Sequence, residues 1–256
     1  MSLDAGRLTA LLESSGCVAP GEEAAELLRA AGGDGHRLGA MVARRLGGEP
    51  LGWVCGSVEV AGLRLHLDPG VYVPRRWQTP AVAERAASVL VPGGTAIDLC
   101  TGAGTVAALL QGADPGARVL GTDRDPLAVR CARRNGVEAL HGDLFDPLLP
   151  ALTGAVDVVT AVTPYVPTGA LPLLPRETLA HEPAVALDGG PDGLATIRRV
   201  VVDAPRWLHP AGWLVLEHGP GQASTVRDLL LAAGFGAIAG IDDPEGTSCG
   251  TSARAG

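Results

Sequence analysis

Three aspartates, Asp98, Asp123 and Asp143, punctuate the middle of the chain, and the run Cys100-Thr101-Gly102-Ala103-Gly104 follows the first of them. Glycines in such a run let the backbone turn sharply and let a ligand come close. Where the run opens a helix, the free N–H groups of the first turn add donors. Gly102-x-Gly104-x-x-Ala107 loosely fits a dinucleotide fingerprint, and Asp123, nineteen residues past Gly104, fits its ribose-binding acid. A nicotinamide dehydrogenase is therefore a competing reading. Asp98 speaks against it, because a carboxylate before the glycines repels a pyrophosphate and attracts an ammonium group. Asp143, in Gly142-Asp143-Leu144, is placed to accept from an adenine amino group.

These acids need strands to carry them. From residue 94 the pattern reads β, α, β, α: strands at 95–99, 118–122, 139–141, 156–162 and 213–217, with helices at 104–111, 126–134, 192–207 and 221–233. Alternation of this kind builds a parallel sheet covered on both faces. Each of the three acids falls at or just past the end of one of three successive strands, along the carboxyl edge where such sheets bind ligands. Ahead of this region, leucines and alanines recur at helical spacing over 4–47, broken by Gly16, Pro20 and Gly32-Gly33. From 51 to 74 the period becomes two, with Ala61-Gly62 as the turn of a β-hairpin, and a helix follows near 79–90. The reading is a helical domain over 1–48, a hairpin linker over 49–75 and one α/β domain over 76–256.

Composition excludes several classes. With 256 residues, 46% hydrophobic and 19% charged, the chain can bury a sizeable core, although aromatics are only 3%. A net charge of −8 leaves no basic footprint for nucleic acid. The five cysteines are scattered, odd in number and without C-x-x-C spacing, which argues against a disulfide framework or a zinc site. Apart from His181, which stands beside Glu182, the histidines His36, His66, His141, His209 and His218 show no ligand spacing, so no metal is expected. No signal pattern opens the chain and no apolar run reaches the ~18 residues a membrane span needs, so a reducing cytoplasm is the expected location.

Nearly the whole chain resembles the HemK-type protein-(glutamine-N5) methyltransferases, and is nearest to their actinobacterial relatives of unsettled substrate. The resemblance rests on Glu49-Pro50-Leu51, Gly62-Leu63-Arg64, Asp68-Pro69-Gly70-Val71-Tyr72-Val73-Pro74-Arg75-Arg76, the glycine loop, Glu182-Pro183, Ala186-Leu187-Asp188-Gly189-Gly190, Asp192-Gly193-Leu194 and Ala204-Pro205-Arg206-Trp207-Leu208. It implies a helical substrate-recognition domain, a hairpin linker and a seven-stranded Rossmann-like class I methyltransferase domain that uses S-adenosylmethionine. In that reading Gly102 and Gly104 line the methionine part of the cofactor beside Thr101, and Asp98 meets its ammonium. Asp123, followed by Arg124, takes the ribose hydroxyls, and Asp143 with the Leu144 backbone meets the adenine.

The family's segment after the fourth strand is Asn-Pro-Pro-Tyr, or Asn-Ala-Pro-Tyr in the nearer relatives; here it is Val162-Thr163-Pro164-Tyr165. These four are the candidate catalytic residues. In the family the asparagine and a backbone carbonyl hold the acceptor amide while tyrosine packs on its face, so that orientation lowers the barrier. Val162 offers no hydrogen bond, at a cost of roughly 1–3 kcal/mol to a polar acceptor. The expected acceptor is therefore either a protein glutamine handled less well or, as favoured here, a different nitrogen, such as an amine of a small metabolite. A non-catalytic descendant that only binds the cofactor is a further alternative. Arg75, Trp77 and Glu182 are the candidate substrate contacts. The family's Pro-Glu-Thr-Glu run is replaced by Arg76-Trp77-Gln78-Thr79, which leaves Trp77 as a candidate apolar lid.

Overall fold

The computed structural model describes residues 4–256. Helices α1 (Ala5–Ser14), α2 (Pro20–Ala31) and α3 (Gly35–Leu46) come first. Asp4 caps α1 by accepting from the Arg7 N–H, Asp34 caps α3 through the N–H groups of His36 and Arg37, and Gly32, in the left-handed conformation, ends α2. Leu8, Leu12, Leu27, Leu38, Met41 and Val42 form the core of this bundle. Residues 51–55, read from sequence as the start of the hairpin, are instead a short helix, α4 (Leu51–Cys55). Val54 and Cys55 close the bundle core, so tertiary burial overrides the strand propensity of the segment. The hairpin itself, β1 (Ser57–Val60) and β2 (Leu63–His66), pairs antiparallel from Ser57↔His66 to Val60↔Leu63 around Ala61-Gly62.

The rest is a seven-stranded sheet with helices on both faces. The elements are α5 (Gln78–Val89), β3 (Thr95–Leu99), α6 (Thr105–Ala113), β4 (Arg118–Asp123), α7 (Pro126–Arg134), β5 (Glu138–His141), β6 (Val156–Val162), α8 (Arg176–His181), α9 (Ala195–Trp207), β7 (Leu208–Glu217), α10 (Ala223–Ala232), β8 (Gly236–Asp242) and β9 (Ser248–Arg254). The strand order is β5-β4-β3-β6-β7-β9-β8, parallel throughout except for β9, which runs antiparallel to β7 and β8. Alternation along β3 feeds two cores: Ile97 and Leu99 pack with α9 and α10, and Ala96 packs with α5, α6 and α7. Strand β8, with Gly236, Ala237, Ala239 and Gly240 exposed, had no apolar pattern to reveal it. The acidic turn before β9 is structural, since Asp243 accepts from the N–H groups of Glu245 and Thr247.

Strand β3 is the switch point of this topology. The chain leaves it for β4 on one side and reaches β6 on the other, and β3 pairs with both. A crevice opens at their carboxyl ends, where such sheets bind ligands. Among the described residues no helix is long and apolar enough to cross a membrane, and no group of His, Cys, Asp or Glu is arranged to hold a metal.

Candidate active site

A cavity of about 330 Å³ fills that crevice. The ends of β3, β4 and β6 supply its floor through Cys100, Gly102, Asp123, Val162 and Thr163, and the segment after β5 adds Asp143 and Leu144. Tyr72 and Arg75 close it from the segment before α5. A long excursion between β6 and α9 roofs it with Leu174, Pro175, Thr178, Pro183, Val185 and Leu187. Arg124 ties that roof down by donating to the Val185 carbonyl at 3.1 Å.

Within the cavity the acids differ in availability. Asp123 accepts from the Gly102 and Asp125 N–H groups, each at 2.9 Å, so its carboxylate is fixed on the glycine loop with lone pairs left for a diol. Burial raises its pKa. Asp143 is engaged by Arg199 of α9 at 2.7 Å, an exposed pair that a ligand can displace at little cost. Cys100 and Leu144 both hold positive φ, at 55° and 48°, so the wall carries backbone strain at two of its turns.

Asp98 does not face this cavity. It is 1% exposed, accepts from the hydroxyls of Thr101 (2.6 Å) and Thr160 (2.7 Å), and is pushed up to about 6 by burial against the opposing effect of those bonds. With Thr101 it lines a smaller adjoining space that shares Tyr72, Cys100, Gly102 and Val162 with the main one. The Thr105 hydroxyl, buried there, has no partner among the described residues.

Comparison with known proteins interprets this crevice. No protein-family model matches the chain. Over 212 residues it is 36% identical to the release factor glutamine methyltransferase of Geobacter sulfurreducens, covering 80% of this chain and 73% of that protein. Over 247 residues it is 39% identical to the 4-amino-L-phenylalanine/4-methylamino-L-phenylalanine methyltransferase of Streptomyces pristinaespiralis, covering 91% and 82%. The chain belongs to the HemK-type family of S-adenosylmethionine-dependent methyltransferases. Its fold is also that of the Thermus thermophilus 16S rRNA N2 G1207 methyltransferase, at a TM-score of 0.53 and 21% identity over 77% of this chain and 44% of that one.

As a HemK-type methyltransferase, the chain gathers ten of the residues singled out from sequence around the main cavity: Arg75, Gly102, Asp123, Arg124, Asp143, Leu144 and Val162 to Tyr165. Three expectations need correction. Gly104 lies off the cavity wall; a Cβ there would sit 2.8 Å from Val137 and 3.1 Å from Ala132, so this glycine lets the loop pack closely on α7. Trp77 is no lid. It is 44% exposed in a separate groove beside the N-terminal helices, with the Arg76 guanidinium 4.9 Å from its ring centroid. Glu182 does not line the cavity and instead holds Arg75 at 3.1 Å, and the preceding His181 packs edge-on to Trp53.

Three features were missed. Gln222 fixes the Pro164-Tyr165 segment by donating to the Tyr165 carbonyl at 2.9 Å. Gly189 and Gly193 let the following loop press on it, since a Cβ would lie 2.6 Å from the Pro164 carbonyl oxygen and 2.2 Å from that of Tyr165. Glu217 ends β7 beside Val162 and is fully buried. Its position as a fourth acid closing a strand was the available signal.

Proposed function

We propose that this methyltransferase acts on the nitrogen of a small-molecule amine, with an aromatic amine as the acceptor class, and not on a protein glutamine. The observation that carries the reading is Val162. It ends β6 on the cavity wall, where the family has an amide-holding asparagine, and it can neither donate to nor accept from an acceptor amide. A glutamine amide needs that grip because its lone pair is delocalised into its carbonyl. An aromatic amine is uncharged at neutral pH, brings no carbonyl to satisfy, and suits the apolar walls given by Leu174, Pro175, Val185 and Leu187. The high coverage of the aminophenylalanine methyltransferase agrees with this reading.

The residues present fit the cofactor. Gly102 has open space where a Cβ would project, the Asp123 carboxylate retains lone pairs, and the Thr105 hydroxyl is an unpartnered buried polar atom in the adjoining space. Gly102 would border the methionine part, whose ammonium would reach Thr101 and Asp98 only through the adjoining space they line, Asp123 would hold the ribose, and Asp143 with Leu144 the adenine. Bound there, S-adenosylmethionine supplies an electrophilic methyl group on a cationic sulfur. Val162, Thr163 and Pro164 then wall the acceptor end, and the Tyr165 ring gives the acceptor a face to pack on. The Tyr165 hydroxyl is pushed up to about 12 by burial and the nearby Glu217, so at neutral pH it stays protonated and acts as a donor, not a base.

V162N tests the proposal. Restoring the amide should raise methylation of a release-factor glutamine and lower kcat/KM for 4-amino-L-phenylalanine about tenfold, the cost of leaving one amide unsatisfied against an apolar acceptor. V162N activity that rises on the amine, or that stays absent on glutamine while amine turnover is unchanged, would overturn it.

A further inference from the structure

Glu217 is a buried acid with one oxygen unused. Thr79 Oγ1 donates to its Oε2 at 3.3 Å, while Oε1 is buried and has no partner among the described residues. Such an atom is costly and rarely left so without a reason. Its surroundings point to the acceptor end of the cavity. The Glu217 backbone is the register partner of Val162 across β6 and β7, and the two side chains lie on the same face of the sheet. The Tyr165 hydroxyl is its polar neighbour beyond Thr79.

The register also says what is missing. In the family pattern a side-chain amide stands at position 162, next to this carboxylate. Valine there offers this carboxylate no donor. We propose that Glu217 is a positioning residue for the acceptor: its free oxygen receives the Tyr165 hydroxyl when the acceptor packs on the Tyr165 ring, fixing the ring in place of the amide that Val162 lacks. This rests on the amine reading above for the identity of the acceptor, but not for the pairing itself.

The role needs the carboxylate form. The groups facing Glu217 are Tyr72 and Arg75 ahead of α5, Thr79 on α5, Tyr165 after β6 and Cys249 on β9. Arg75 is the one cation named among these, and it is already engaged by Glu182. Burial therefore dominates and pushes Glu217 up to about 7. Acceptor handling should improve as pH rises through that value.

The test uses the full chain with E217Q, Y165F and the double variant. E217Q keeps the shape and the Thr79 bond but not the charge. It should fold, bind S-adenosylhomocysteine within about threefold of wild type, and lose about 10- to 100-fold in kcat/KM for 4-amino-L-phenylalanine, carried by the acceptor KM. It should also lose the rise in kcat/KM across pH 7. An unchanged kcat/KM with an unchanged pH profile would overturn the proposal. If wild type methylates no aromatic amine, the acceptor reading falls, and the pairing is decided by stability alone. Y165F should then cost more stability in wild type than in the E217Q background, because its lost hydroxyl faces a charged acceptor only in the former. Additive effects would overturn the pairing.

Discussion

Each acid at the sheet edge works through a different environment. Asp123 has both oxygens anchored by backbone N–H groups and still has lone pairs facing the cavity. D123A should weaken S-adenosylhomocysteine binding by about 10²-fold, since two hydroxyl bonds to a charged acceptor are lost and the Gly102 N–H is left bare; calorimetry reads this directly. Glu217 makes a different claim, on stability. Its carboxyl sits at about 7 in the folded chain against 4.5 for an ordinary glutamate. The unfolded chain ionises first, so this stabilising contribution is full below about pH 4.5 and is lost as pH rises through 7. E217Q should therefore gain about 3 kcal/mol relative to wild type between pH 4.5 and pH 8, measured by urea denaturation at both. That a carboxylate closes a strand was legible for Asp98, Asp123 and Asp143, because position along a strand survives folding; of the three, Asp123 and Asp143 line the cavity and Asp98 does not. The same rule covers Glu217 and would have found it. Gly104, Trp77 and Glu182 were misplaced because spacing fixes where a residue sits along the chain and not which way its side chain turns.

At the scale of elements, the acceptor segment is held from behind. Val162 ends β6, the chain turns through Pro164-Tyr165, and Gln222 together with the Gly189–Gly193 loop grips its carbonyls. G193A places a Cβ 2.2 Å from the Tyr165 carbonyl oxygen at a φ of +77°; the Tyr165 backbone has no room to yield, and the Gln222 amide on the other side could move only by releasing the Tyr165 carbonyl. It should cost about 2–3 kcal/mol of stability and lower kcat on the acceptor while sparing cofactor affinity. Denaturation and steady-state kinetics together check this. The parallel strands β3, β4, β6 and β7 were readable because their buried apolar runs announce themselves. Helix α4 and strand β8 were not, the first because burial against the bundle set its conformation, the second because its small exposed residues carry no period.

Across the whole molecule, one buried ion network joins the N-terminal bundle to the roof of the cavity. Arg45 on α3 pairs with Glu23 on α2 at 2.6 Å and with Glu177 on α8 at 2.8 Å. Glu23 and Arg45 are both buried, so R45M strands a carboxylate and should cost about 3–5 kcal/mol, with E23Q/R45M recovering most of it. The same loss should loosen α8, whose Thr178 lines the cavity, and raise the acceptor KM. On the proposed reading, the valine at the end of β6 directs this methyltransferase to an amine instead of an amide. Incubating the wild-type chain with methyl-labelled S-adenosylmethionine, 4-amino-L-phenylalanine and a release factor in one vessel, then separating the products by size, tests it most directly. Label in the small-molecule fraction is the expected result; label confined to the release factor would contradict it.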